Sequence, residues 1–431
     1  MNARLSREAI IDRAYDLADS EGLQALKLTR IANDLGVSQP ALYRHVAGIQ
    51  DLRMAIALRA RDIMAQELAR SISGLTGKEA FRALAHTWRL GASSHPALLM
   101  LPAEVKIKGN KALEAAIDRI VDIISDTLRE LDLGEAERVH AARSLRSALH
   151  GFMAVQNSSG RPVEVFDDTF EQLITLLWVG LQAKRDRPVQ TGSYNDSGSG
   201  AILEKPGPKK RSTALGAGGA AGDGAARLSP DAIVEVAANL ADRHGLKAVS
   251  LTRIAKTLGV RQPALYRHVE GIEALWRALA LRAHESLLSM ITEATIGRAR
   301  DQAIAAAAHA WRGYVRAHPG TYSSITRAMD IEDTDFQRSS TEVVRVLGLG
   351  LRGYGLSAGT TIHIAECIRS SLHGFCLLEK DSGHSGHHSV EESFQLLIGL
   401  LIAGIHGMAA AESLANDQKT RRRRVGRSRK A

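Results

Sequence analysis

The octapeptide QPALYRHV occurs at residues 39–46 and again, unchanged, at 262–269. It sits inside a longer repeat: residues 5–60 and 228–283 align without a gap at a constant offset of 223, with about 35 of 56 positions identical. A duplication of this size predicts two copies of one folded unit, and 431 residues give each copy enough chain to bury a core of its own. Ala and Leu are abundant, aromatics make up 4% and there are ten prolines, so an almost wholly helical fold is expected.

In each copy the octapeptide follows a short amphipathic segment and a Gly-Val turn, LTRIANDLGVS at 28–38 and LTRIAKTLGVR at 251–261. Thr29 is placed to cap a helix carrying Ile31, Ala32 and Leu35 on one face, and Gly36 to end it in the left-handed conformation. A second helix starts near Ser38, with Pro40 tolerated in its first turn. Leu42 and Val46 are four apart and point one way, which leaves Gln39, Pro40, Tyr43 and Arg44 on the opposite face. This is the layout of a helix-turn-helix whose exposed face can enter a DNA major groove. Ahead of it, Ser6 begins a helix with Ile10, Ala14, Leu17 and Ala18 as its apolar stripe and Gly22 as its stop. Ser229-Pro230 and Gly245 mark the same helix in the second copy.

The GVSQPALYRHV segment and its flanks resemble the DNA-binding domain of the tetracycline-repressor (TetR) family over residues 5–60 and 228–283. The resemblance implies that Gln39, Pro40, Ala41 and Arg44 face base edges while Thr29, Tyr43 and His45 contact phosphates. In the second copy Gln262, Pro263, Ala264 and Arg267, with Thr252, Tyr266 and His268, take the same places. The chemistry suits them: Gln pairs with adenine, Ala meets a thymine methyl, and Arg reads guanine or holds a phosphate. Two positions depart from the pattern. Ile49 and Ile272 stand where many members carry a lysine that reaches the DNA backbone. Ser38 is a favourable N-cap, whereas its counterpart Arg261 forfeits a cap worth about 1 kcal/mol and sets a cation at the positive end of a helix dipole. Arg261 is therefore expected to meet DNA, so that the two halves read unlike half-sites.

After each such domain come about 120 residues of helical pattern that preserve landmarks at the same offset: Trp88 with Trp311, His95-Pro96 with His318-Pro319, and His150-Gly151-Phe152 with His373-Gly374-Phe375. These resemble the tryptophan-histidine-glycine type of TetR C-terminal domain, which implies an all-helical ligand-sensing and dimerising domain. Trp88, His150, Trp311 and His373 are the candidate pocket residues, with core packing an equal reading of the two tryptophans. Two apolar helix pairs, 135–158 with 166–182 and 360–378 with 390–408, have too little polar interruption to face solvent. In the family the last two helices of each protomer form a four-helix bundle with a partner, and here that partner can be the other half of the same chain.

The net charge is +9, but residues 417–431 alone hold +7, so the body is near neutral and the tail is expected to be disordered. Between the repeats, residues 187–227 are rich in Gly, Ser and Pro and read as a flexible linker, whose root-mean-square span of about 35 Å can return the chain to the DNA end of the other half. Cys367 and Cys376 are nine residues apart on one helix, about 13 Å at 1.5 Å per residue, too far for a disulfide. His384, His387 and His388 fall in a Gly/Ser loop and read as solvated. No Gly-rich phosphate loop, nucleophile elbow, metal-ligand cluster or repeated carboxylate pair is found, so neither an enzyme nor a metal or other cofactor is expected. No apolar run approaches membrane-spanning length and the N-terminus carries no signal peptide, which points to a cytoplasmic protein without membrane contact.

The expected organisation is all-α: two tandem TetR-like repeats, each a three-helix helix-turn-helix domain (1–48 and 228–271) followed by a helical ligand-binding and dimerisation domain (49–186 and 272–412), with the linker at 187–227 and a basic tail at 413–431. The expected function is a repressor that responds to a small-molecule effector and acts as an intramolecular pseudodimer on an imperfect palindromic operator in double-stranded DNA. The alternatives are a further homodimer with four DNA-binding domains, and a ligand-binding or protein-interaction module that no longer reads a specific site.

Overall fold

A computed structural model describes residues 5–96, 107, 109–186, 228–328, 334–380 and 388–428, and among these every regular element is helical. The linker, His384 and His387 lie outside the described residues. The first half comprises α1 (Arg7–Glu21), α2 (Leu28–Asp34), α3 (Gln39–Leu42), α4 (Ile49–Ser71), α5 (Gly77–Ser94), α6 (Lys111–Asp126), α7 (Glu135–Ser158) and α8 (Asp167–Asp186). The second comprises α9 (Pro230–His244), α10 (Leu251–Leu258), α11 (Gln262–Leu265), α12 (Ile272–Thr295), α13 (Arg300–Ala317), α14 (Pro319–Ala328), α15 (Thr334–Gly350), α16 (Ala358–Lys380) and α17 (Val390–Ser428).

The opening helices begin and end where short-range chemistry places them. Ser6 Oγ accepts from the Ala9 amide at 3.1 Å and Ser229 Oγ from that of Ala232 at 3.2 Å, supplying partners for donors the first turn cannot satisfy itself. Gly22 and Gly245 close these helices at φ 83° and 80°. Ile10, Ala14, Leu17 and Ala18 are all completely buried in a core that gathers α1 to α3 around Leu52 and Ile56 of α4. The second half repeats that small core around Leu275 and Leu279 of α12.

Beyond these two cores the halves do not stay separate. Ala65 and Leu68 of α4, Leu287 and Ile291 of α12, and the apolar faces of α7, α8, α16 and α17 belong to one continuous core. Helices α4 and α12 thus run from the DNA-binding cores into the shared one. The contact between halves is two-fold in character: α7 packs on α16 and α8 on α17. His140 Nδ1 lies 2.9 Å from Ser393 Oγ, and its counterpart His363 Nδ1 lies 2.8 Å from Thr169 Oγ1. Gly180 and Gly404 each lie so close to a leucine carbonyl of the other half, Leu400 and Leu176 respectively, that a Cβ on either would overlap it. Fully burying one large apolar side chain is worth about 1.5–3 kcal/mol. Phe170, Leu173, Phe394, Leu397, Leu400 and Leu401 are buried to within 1% of completely, so the bundle is a major source of stability.

Four expectations need correction. Ser38 makes no side-chain capping hydrogen bond, and its backbone (φ −76°, ψ 145°) matches that of Arg261 (φ −79°, ψ 142°), so the change to Arg261 gives up no cap. Thr29 is inside α2 rather than its cap; the flanking residue is Lys27, whereas in the second copy Ser250 Oγ caps α10 by accepting from Arg253 N at 3.3 Å. The segment from 413 continues α17 through Ser428 instead of being disordered, since the run Ala409-Ala410-Ala411-Glu412 and the residues after it favour helix, with neither Gly nor Pro before Gly426. Finally, Val390–Lys419 is long and apolar enough to cross a membrane by length and composition. Its fully buried Phe394, Leu397, Leu400, Leu401 and Ile405 belong to the core shared by the two halves, and α17 packs on α8, which accounts for the apolarity.

Candidate nucleic-acid interface and effector cavity

The recognition elements are shorter than the sequence suggests. Only 39–42 and 262–265 are α-helical, and each is prolonged by turn bonds, His45 N to Leu42 O at 2.9 Å and His268 N to Leu265 O at 2.9 Å. Gly36 and Gly259, at φ 65° and 69°, turn the chain between the two helices of each motif. Leu42 and Leu265 are completely buried and Val46 and Val269 nearly so, which pins one face. Pro40, Tyr43 and Arg44, and likewise Pro263, Tyr266 and Arg267, are exposed on the other; Gln39, Ala41, His45, Gln262, Ala264 and His268 are half-buried. Thr29, Ser38, Thr252 and Arg261 are exposed nearby.

In the second copy these side chains are already in register. Thr252 Oγ1 donates to Gln262 Oε1 at 2.9 Å, and Gln262 Nε2 donates to Tyr266 OH at 3.4 Å. The first copy carries a feature that the sequence reading missed: Arg7 donates to the His45 carbonyl at 2.7 Å and forms a bidentate ion pair with Asp51 at 2.7 and 2.8 Å. The Arg7 guanidinium holds the Asp51 carboxyl below its ordinary range. Pro230 and Ala274 occupy the counterpart positions, so this clamp on the recognition element exists in one half only.

Each DNA-binding unit is tied to its C-terminal domain by the His-Pro landmark. His95 Nδ1 lies 2.8 Å from Asp19 Oδ2 on α1, and His318 Nδ1 lies 3.0 Å from Asp242 Oδ2 on α9. Both histidines dock a DNA-binding unit, and His95 also edges a cavity in the first half.

That cavity, about 120 Å³, lies between α4, α5, α6 and α7. Trp88 and His150 both line it, together with Arg61, Arg146, Met64 and Ile120; Leu378 of the second half closes one side and Tyr15 of α1 another. Trp88 Nε1 is buried with no hydrogen-bond partner among the described residues. Burial, reinforced by Arg146 and Arg61, pushes His150 down to about 3, and burial and the proximity of Arg61 push Arg146 down to about 9. The second half brings Trp311 and His373 together differently. Tyr322, completely buried, stands between them, its hydroxyl accepting from Trp311 Nε1 at 3.0 Å and lying 2.5 Å from His373 Nδ1. Among the described residues no three His, Cys, Asp or Glu side chains gather as a metal ion would require.

Helix-turn-helix units with buried anchors and an exposed polar row, mounted on a helical core, define a DNA-binding transcriptional regulator. The comparisons with known proteins agree. The family description "Tetracyclin repressor-like, C-terminal domain" matches twice, at residues 81–177 and 304–401, and "Bacterial regulatory proteins, tetR family" matches 233–279. An uncharacterized HTH-type transcriptional regulator of Mycobacterium tuberculosis is 36% identical over 155 residues, 36% of this chain and 71% of that protein. The uncharacterized HTH-type regulator YobS of Bacillus subtilis is 30% identical over 180 residues, 41% of this chain and 93% of the relative. The class D tetracycline repressor of Escherichia coli is 41% identical over 56 residues, 26% of its length. The chain belongs to the TetR family. Each of the two longer matches covers most of the relative but under half of this chain, as one repeat would.

Proposed function

We propose that the protein is an effector-responsive repressor, not an enzyme, that works as an intramolecular pseudodimer on an imperfect palindrome. The observation that carries this reading is the two-fold contact between α7–α8 and α16–α17 inside one chain, where Gly151 and Gly374 meet at the centre. A TetR dimer uses such a bundle to hold two recognition helices one DNA turn apart, roughly 34–36 Å. Fusion makes the pairing independent of concentration. Gln39, Pro40, Ala41 and Arg44 read bases in one half-site and Gln262, Pro263, Ala264 and Arg267 in the other, while Thr29, Tyr43, His45, Thr252, Tyr266 and His268 hold phosphates. With no cap lost at Arg261, its case for touching DNA rests on exposure and charge beside the recognition element, where Ser38 offers only a hydroxyl. Residues 1–48 and 228–271 are the DNA-binding domains, 49–186 and 272–412 the tryptophan-histidine-glycine-type domains, and 187–227 the tether. The protein acts in the cytoplasm, where its DNA is.

The test is selection of bound sequences from a random DNA pool at stated salt, followed by the mass of the complex. One imperfect palindrome with one chain supports the pseudodimer. Two chains on one site would make it a homodimer presenting four DNA-binding domains, and no enriched sequence would leave a module that no longer reads DNA.

A further inference from the structure

The two C-terminal domains share their landmark residues but not the space between them. In the second half the Tyr322 hydroxyl occupies the gap between Trp311 and His373, receiving the indole proton and contacting the imidazole. Tyr314 is buried next to it with its ring centroid 6.5 Å from that of Tyr322. In the first half the counterparts at the same offset are Leu99 and Gly91. Leu99 lies outside the described residues, and Gly91 brings no side chain. Gly91 lines the cavity beside Trp88, whose indole N–H has no partner among the described residues. A buried donor without an acceptor costs about 1–3 kcal/mol, a cost that a bound oxygen removes.

The charges around the gap differ as well. Arg61 and Arg146 both line the first cavity, whereas the counterpart of Arg61 is His284, a buried and neutral imidazole packed on Phe336. Arg369, the counterpart of Arg146, donates to Ser340 Oγ at 2.8 Å, and Ile117 replaces that serine in the first half. Arg61 donates to the Ala57 carbonyl at 2.9 Å, which leaves most of its fork available. Each arginine disfavours the charge on the other, and Asp118 offsets that only in part for Arg146. Met64, Ile117, Ile120 and Leu378 give the cavity its apolar wall, and Glu67, Tyr15 and His95 also line it, so the two arginines face a single carboxylate.

We propose that the first half alone is the sensor, that its cavity takes a small apolar acid whose anionic head lies against Arg61, Arg146 and the Trp88 indole, and that the second half is a silent copy in which Tyr322 permanently fills the ligand's place. This rests on the effector-responsive reading above and deepens it. The position of the cavity supplies the coupling. Its walls include Tyr15 of α1 and the stretch of α4 that leads directly from the DNA-binding core, so occupancy acts at the junction that orients one recognition element. In the second half the same junction is closed: a Cβ on Gly320 would overlap the Ala241 carbonyl of α9, and Thr321 N donates to Asp242 at 2.6 Å.

The experiment is isothermal titration of the full-length protein, alone and with its selected operator, using hexanoate, decanoate and phenylacetate as probes and their methyl esters as neutral controls. The expected result is one site per chain for at least one acid, with its ester bound at least tenfold more weakly. Arg61→Gln should weaken acid binding about tenfold or more, because a charge-assisted contact is lost. Gly91→Tyr, which copies the second half, should abolish it, while Tyr314→Phe should leave it unchanged. Two sites per chain, equal binding of acid and ester, binding that survives Gly91→Tyr, or no binding of any acid by a protein that still binds its operator would each overturn the proposal. Acid binding at one site with no change in operator affinity would instead retain the site and sink the effector-responsive reading. Operator release by the esters alone would retain that reading and reject the anionic ligand.

Discussion

Gly151 and Gly374 meet backbone to backbone: a Cβ on either would overlap the amide nitrogen and Cα of the other. Residues 223 apart in the chain are thereby adjacent at the centre of the bundle, and each is the other's counterpart in the repeat. No side chain in the contact can move aside, because the overlapped atoms are backbone.

Alanine at this contact should therefore be expensive. Overpacking usually costs about 1–3 kcal/mol, and Gly151→Ala or Gly374→Ala is expected at or above the top of that range in urea unfolding. Gly313, exposed on α13 with nothing near its missing Cβ, is the control: Gly313→Ala should stabilise by about 0.5–1 kcal/mol through helix propensity. Equal effects at the two sites would mean that the halves do not pack this closely.

A second asymmetry between the halves lies in one ion-pair network. Arg312 is buried and holds Glu379 through two bonds, at 2.8 and 2.9 Å, and Glu391 through one at 2.6 Å. Its counterpart Arg89 pairs with Asp167, which is 59% exposed, and with Gln156. Arg312→Met is expected to cost about 3 kcal/mol, the low end for a broken buried pair because Arg316 still holds Glu379. Arg89→Met should cost about 1–2 kcal/mol. Thermal or chemical denaturation of the two variants decides the order.

Acid should destabilise the protein through its buried histidines. Burial, aided by Arg369, pushes His284 and His373 down to about 3. The unfolded chain binds protons at these groups below about pH 6.5 while the folded chain does not, so stability is level above that pH and falls as pH drops toward 3. At pH 5.5 the two groups together remove about 3 kcal/mol relative to pH 7.5. His284→Gln should remove about half of that dependence; a pH profile unchanged by the variant would show that the imidazole is not held neutral.

At the DNA face, Arg44→Ala and Arg267→Ala are each expected to weaken operator binding and to relax base preference in one half-site only, by about 1–3 kcal/mol per lost base contact. Arg261→Ser should make the two half-site preferences converge. Binding titrations against the selected palindrome and its two symmetrised versions would show this, and an Arg261→Ser protein with unaltered preference in both would assign the residue no part in recognition.

The elements that the sequence made legible are those decided within a few residues. Ser6, Ser229, Gly22 and Gly245 bound their helices as read, because a cap and a left-handed turn depend on immediate neighbours. The stripe Ile10, Ala14, Leu17, Ala18 and the anchors Leu42 and Val46 are buried as their spacing required. Even at this range, Ser38 and Thr29 show the limit: a residue type suited to capping does not cap unless the backbone directs its oxygen at a free amide.

The chain's own sequence thus determined its duplication, its helices, the exposed row on each recognition element and the apolar faces that would have to pair. It did so because periodicity and short-range chemistry repeat within every window of the chain. Only the tertiary structure decided which faces meet, that His140 reaches Ser393 and His363 reaches Thr169, and that the gap beside Trp311 is filled while the one beside Trp88 is open. Those outcomes depend on side-chain volumes and charges brought together from distant segments, where Gly91 in place of Tyr314 or Arg61 in place of His284 looks like ordinary divergence until both copies are compared in space.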